Sequence, residues 1–299
     1  MPSFPGKCTT PQLGGAIVAS MVALSLASTG LGLAAPAEDL ARETSSAASK
    51  PASKCDRSKF RMILDVGHTV KSPGAASSRN VDEFEFNLRL AKRIEEKLKA
   101  DGFSETTMLV TEGKAKPSLT KRVAAANKAN PDLFLSIHHD SVPDGFLEDW
   151  EFDGKPRHFS DKFSGYSVFV SERNPQFKAS LMFAKMLGNQ MAARDQQFAR
   201  QYDQMFMGKY QRLLLDIDAG VYRYDELIVL RKTQMPAVLL EAGSIINRDE
   251  ELVMDSQEYR DLVSMAVSSA VTEFCDARTA QPRVAQPQLP ASPRSARKR

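Results

Sequence analysis

The chain has 299 residues, 42% hydrophobic and 26% charged, enough for one good-sized soluble domain with appendages. A formal net charge of +3 is too small to argue for nucleic acid as a partner. Much of that excess sits in the last few residues, so the body of the protein is close to neutral.

The N-terminus reads as an export signal over residues 1–37. Lys7 gives a short positive region, Leu13 to Ala34 is apolar or small, and Ala35-Pro36-Ala37 forms an A-x-A-type cleavage site. Cys8 precedes the apolar run, unlike a lipoprotein cysteine. The mature protein is therefore expected in the periplasm or secreted, with no membrane span. Residues 38–57 form a linker rich in Ala, Ser, Thr and charge. The body covers 58–276, and residues 277–299 are a basic Pro- and Arg-rich tail unable to bury enough apolar surface to fold alone. Cys55 and Cys275 flank the body, and in an oxidising compartment such a pair is expected to form a disulfide joining its two ends.

Within the body, β-rich runs alternate with helical stretches. Arg61 to Leu64 reads as a buried strand. Asp82 to Ala100 reads as an amphipathic helix with Phe84, Leu88, Ala91, Ile94 and Leu98 on one face. Thr107 to Thr111 is a second strand, and Ser118 is expected to cap a helix running to about Asn130. Leu133 to Ile137 and Ser167 to Val170 are further strands, separated by a polar loop from Glu148 to Asp161. A helical region is expected from Ala179 to about Asp216, then strands at Leu227 to Leu230 and Ala237 to Leu240. A last helix runs from Gln257 to Phe274, turning Leu262, Ala266, Ala270 and Phe274 inward. The alternation argues a single α/β domain with a central, mostly parallel twisted sheet of about six strands and helices on both faces.

Open α/β sheets gather functional residues past the carboxyl ends of their strands. Four ionisable groups stand there: His68, Glu83, His138 and Glu241. Two imidazoles and a carboxylate match a catalytic zinc site with its fourth position open, and a nearby carboxylate must then move protons. Glu241, behind the rigid run Val238-Leu239-Leu240, is placed for that. Asp82 and Glu85 resemble a capping box, which leaves Glu83 free to project from the first turn. Strand alternation sets His138 and His139 on opposite faces, so only one can join His68, and spacing leaves open which.

Several segments together resemble the Amidase_3 type of zinc N-acetylmuramoyl-L-alanine amidase. They are Leu64-Asp65-Val66-Gly67-His68 with Pro73-Gly74-Ala75, then Glu83 with Leu88 and Ala91, and then Ser136-Ile137-His138-His139-Asp140. Val229-Leu230-Arg231 follows, with Met235 to Gly243 and Ile246-Asn247. The likeness spans about Phe60 to Phe274. It implies His68, Glu83 and His138 as zinc ligands and Glu241 as the catalytic carboxylate. It also implies peptidoglycan as substrate, cut between N-acetylmuramic acid and the stem L-alanine.

His139 stands where such proteins usually carry alanine and is read as incidental. Thr69-Val70-Lys71-Ser72 replaces the usual glycines, making a bulkier loop. The stretch from Arg194 to Asp216 is expected as a surface helix, the alternative being an inhibitory carboxylate, Asp203 or Asp216, in zinc's open position. A monomer is expected, with room for an activator protein. The rival readings are a silent wall-binding regulator and a zinc peptidase acting on the stem peptide.

Overall fold

The computed structural model describes residues 55–280; the expected signal segment, most of the linker and the tail beyond Ala280 lie outside them. In chain order the elements are β1 (Met62–Val66), α1 (Glu83–Ala100), β2 (Thr106–Leu109), α2 (Ala115–Ala129), β3 (Leu133–Asp140), β4 (Glu148–Phe152) and β5 (Lys155–Phe159). They continue with β6 (Ser167–Val170), α3 (Phe177–Ala192), β7 (Leu213–Asp216), β8 (Val221–Arg223), the single turn α4 (Ile228–Arg231), β9 (Ala237–Ser244), α5 (Arg248–Asp255) and α6 (Gln257–Ala280). A seven-stranded sheet runs in the order β2-β1-β3-β9-β6-β8-β7. It is mostly parallel, with β6 antiparallel to β9 and β7 antiparallel to β8.

The central strands are buried along almost their whole length because helices cover both sheet faces, His138 and Glu241 being the partly exposed positions. Alternate residues therefore enter two different cores. Leu64, Leu135, Val168 and Leu240 pack under α1, α3 and α6. Ile63, Phe134, Phe169 and Leu239 pack with Ala126 of α2 and with Val229 and Leu230 of α4. This period of two decides which polar side chains at the strand ends share a face.

Five expected strands and the first and last helices are present, and several other expectations need correction. Leu227–Leu230 is not a strand, because residues 228–231 form a helical turn that buries Val229 and Leu230. A short apolar run fits either state, and β8 fills the sheet position instead. The helical region after Ala179 ends at Ala192. Asp195 then takes a positive φ of 60°, 3-10 turns follow, and Leu213–Asp216 joins the sheet as its edge strand.

Ser118 lies inside α2, where its hydroxyl donates to Ala115 O at 2.7 Å. The helix starts at Ala115, and Pro117 falls in the first turn, where no intrahelical N–H bond is lost. The Glu148–Asp161 loop is largely a β-hairpin of β4 on β5, held by Trp150, Phe152 and Phe159 against the guanidinium groups of Arg79 and Arg248. The last helix also runs four residues into the expected tail, to Ala280. No helix among the described residues is long and apolar enough to cross a membrane.

Cys55 and Cys275 form the expected disulfide, with Cα atoms 5.5 Å apart across 220 residues of sequence. Asp276 supports it by accepting from the Cys55 backbone N–H at 2.9 Å. Replacing both cysteines by serine is expected to lower unfolding free energy by about 2–5 kcal/mol in urea titrations. Wild type in reductant should lose a similar amount.

Candidate metal centre

β1 ends at Val66, and the chain turns at once. Gly67 N–H donates to Ile137 O of β3 at 2.9 Å, and His68 follows with φ of 65°, a left-handed conformation uncommon outside glycine. Arg122, buried on α2, holds this turn in place. Its guanidinium donates to Val66 O, to His68 O and, at 2.7 Å, to Asp65 Oδ1. Ser136 of β3 donates to the other Asp65 oxygen at 2.7 Å. The Asp65–Arg122 pair thus ties β1, β3 and α2 together directly beneath His68.

The loop from Thr69 to Asp82 delivers Glu83. Thr69 and Ser72 exchange backbone hydrogen bonds, so the bulkier substitute for the expected glycines is a tight turn with Val70 in solvent. The capping box does not form, and the Asp82 side chain makes no cap bond. The first N–H groups of α1 are satisfied by the loop instead. Glu83 N donates to Ala75 O and Phe84 N to Pro73 O, both at 2.9 Å. Glu83 therefore points inward because the loop carbonyls grip its backbone.

Three ligand-type side chains converge here. Glu83 Oε2 lies 2.9 Å from His68 Nε2, and Oε1 lies 2.9 Å from His138 Nδ1. All three ligand atoms fall within 4.8 Å of one another, the one such group found among the described residues. Two glycines make room. A Cβ on Gly67 would sit 2.5 Å from the His138 ring, and one on Gly74, at φ of 89°, would collide with Glu83 Oε2 and His68. Burial by itself would raise the Glu83 carboxyl, but hydrogen bonds from His138 and His68 outweigh it and hold the group well below the carboxylate range. Two imidazole nitrogens and an ionised carboxylate drawn to one point form a donor set that fits a divalent cation.

Sheet register carries the site sideways. His138 is paired with Glu241 on β9, and Glu241 with Ser167 on β6, so the three side chains stand in one row on the same face. Glu241 is half-buried, yet its Oε2 is fully enclosed and has no hydrogen-bond partner; Ser167 Oγ is likewise enclosed and unpartnered. Burial first, then the charges of Asp140 and Glu83, raise the Glu241 carboxyl well above its ordinary value. A carboxyl raised in this way holds its proton more tightly than an exposed glutamate does.

Other polar residues of the site carry no local sequence signal. Asn87, one turn after Glu83, donates to Glu83 Oε1 at 3.1 Å and to Gly67 O at 3.3 Å. Its Oδ1 meets His139 Nδ1 at 2.8 Å. His139 is buried on the opposite face from His138, and burial pushes its imidazole down to about 3, leaving it neutral. Tyr202 donates to both oxygens of Asp140 at 2.6 Å. Burial, partly offset by the bonds from Tyr202 and Ser141, pushes Asp140 up to about 7. Neither Asp203 nor Asp216, the alternative inhibitory carboxylates, joins the His–Glu–His group. Asp216 pairs with Lys185 at 2.8 Å, and Asp203 accepts from Gln204.

Residues 62–273, more than two thirds of the chain, match the family model described as N-acetylmuramoyl-L-alanine amidase (Amidase_3). The chain is 26% identical over 268 residues to N-acetylmuramoyl-L-alanine amidase AmiA of Escherichia coli, covering 80% of this chain and 84% of that protein. It is 24% identical over 223 residues to a putative N-acetylmuramoyl-L-alanine amidase of Buchnera aphidicola, covering 71% and 95%. Among solved structures, the amidase Ami1 of Mycobacterium smegmatis superposes with a TM-score of 0.56 at 22% identity, covering 73% of this chain and 98% of that one.

Because Arg122 and Asp65 are both buried, removing one leaves an unpaired charge in the interior. Arg122→Met should cost about 3–5 kcal/mol in denaturant unfolding. Adding Asp65→Leu to it should recover much of the loss.

Proposed function

The chain belongs to the N-acetylmuramoyl-L-alanine amidase family, and on that premise we propose a zinc-dependent reaction on peptidoglycan. The bond cut is the amide between N-acetylmuramic acid and the stem L-alanine. The ligands are His68, Glu83 and His138, and Glu241 moves the protons. The observation that carries this reading is the convergence of three ligand atoms within 4.8 Å beside an enclosed, unpartnered carboxylate oxygen.

His68, Glu83 and His138 would hold a zinc ion, which would supply Lewis acidity to the scissile carbonyl and to an attacking water. Every other step belongs to this chain. Glu241 Oε2 takes a proton from water as the new C–O bond forms. It returns that proton to the alanine nitrogen as the C–N bond breaks, so an amine and not an anion departs. The parallel register of β3 and β9 keeps Glu241 beside His138 on one face throughout. Zinc suits two imidazoles and a carboxylate, and amide hydrolysis needs no redox chemistry from the ion.

Action outside the cytoplasm completes the proposal. The Cys55–Cys275 disulfide suits an oxidising compartment, as does the export-type leader over residues 1–37. The working unit in this reading is a monomeric domain over 58–276.

Peptidoglycan incubated with the purified chain should release intact stem peptides bearing a free L-alanine amine, seen by mass spectrometry. Release should stop with a chelator and return with zinc. Shortened stem peptides would point to a peptidase, and bound zinc without any release would sink the enzymatic reading. Glu241→Gln should keep its zinc and lose about 10²–10⁴-fold in kcat.

The sign of the pH dependence follows from the raised Glu241 carboxyl. Only the deprotonated form can accept the proton, so kcat/KM should fall as pH drops through its folded value. Burial, the largest cause of the shift, places that acid limb above the ordinary carboxylate range of about 4. A limb at or below that range would contradict the assignment.

A further inference from the structure

We propose that His139 is a positioning residue for the ligand Glu83, acting through the amide of Asn87; the inference rests on the metal-site reading above. β3 is irregular between His138 and Asp140, with a shift in its register against β9. Within that bulge two successive histidines take opposite faces. His138 offers Nδ1 to Glu83 Oε1, and His139 reaches under α1 to Asn87. Glu83 and Asn87 lie four residues apart on one face of α1, so a single helix turn meets both imidazoles.

The chemistry of the amide makes His139 more than a packing group. Asn87 Nδ2 lies between two acceptors, Glu83 Oε1 and Gly67 O, which fixes the orientation of the amide. Its Oδ1 must then accept, and the His139 ring supplies the donor at 2.8 Å. Without that donor the amide gains nothing from this orientation on the His139 side. A flip would set Oδ1 against the Glu83 carboxylate, two acceptors facing each other. The His139 ring is itself held, buried and tilted at 51° against Phe86 with centroids 5.5 Å apart. Alanine could not donate at this position. His139 thus orients Glu83 without touching the metal, as outer partners of metal ligands do.

The test measures zinc affinity of the full chain by competition with a chromogenic chelator, with thermal unfolding of the metal-free protein in parallel. His139→Ala should weaken zinc binding about 10–100-fold. His139→Asn, whose side-chain N–H₂ stands where Nδ1 does, should stay close to wild type. His139→Gln fills the space but carries its amide further out, and should bind as weakly as the alanine variant. In an Asn87→Ala background, His139→Ala should cause no further loss. If His139→Ala fails to fold, the Asn and Gln variants decide the matter between them. Wild-type affinity in both Ala and Gln variants, or an equal loss with and without Asn87, would overturn the inference while leaving the metal site intact. A wild-type chain that binds no zinc would overturn the metal reading and this inference together.

Discussion

The site depends on one buried carboxylate that must stay ionised and satisfied. Glu83 is 5% exposed, and its two oxygens collect contacts from His68, His138, Asn87 and the backbone N–H groups of Ala75 and His139. An ionised carboxylate in such a place is stable only when its donors are held at fixed positions. The rest of the architecture around it can be understood as the means of holding them. The loop carbonyls of Pro73 and Ala75 fix where α1 begins. Gly67 and Gly74 let backbone pass where a Cβ would displace the imidazoles or the carboxylate itself.

A second polar layer carries the first. The Asp65–Arg122 pair binds the carbonyls on either side of Gly67 and so holds the left-handed turn that presents His68. Such a pair contributes little net stability, because desolvation cancels much of its attraction. Its value lies in geometry, since three elements of the fold must meet for it to be satisfied. On the other side, Glu251 accepts from Ser77, Ser78 and Arg79 and fastens the loop before α1 to α5. The aromatic β4–β5 hairpin adds a further anchor where Trp150 donates to Ser78 O at 3.2 Å.

The same sheet separates two kinds of chemistry by face. His138 and Glu241 stand together on the α2 side, with Ser167 beyond them and Tyr202 near. His139 stands on the α1 side, among Phe86 and Asn87. The Asp65–Arg122 pair supports His68 from the α2 side, and Asn87 with His139 meets Glu83 from the α1 side, so the His–Glu–His group is braced from both faces of the sheet. Ser244 Oγ on β9 joins Glu241 Oε2 and Ser167 Oγ as an enclosed group without a partner. Clusters of unsatisfied polar atoms are costly in a mere scaffold and belong where a ligand completes them.

Much of this was legible in the sequence. Local period and composition identified β1, β3, β6, β9, α1 and α6, since each buries a continuous or regularly spaced apolar set. Strand ends followed by His68, His138 and Glu241 pointed to the candidate site, while the choice of His138 over His139 rested on the family resemblance and not on spacing. The sequence could not assign the three-residue strand β8, too short to show alternation, or the edge strand β7, whose place is set by its partner. It also hid Arg122, Asn87, Tyr202 and the part played by His139. Each of these acts through a side chain 52 to 62 residues away in the chain, or on a group brought near only by packing. Periodicity reports which face a residue occupies, because that is a local property of the backbone. Which polar group waits on that face is decided only when helices and strands from distant parts of the chain close over it, and burial then forces every donor to find its acceptor.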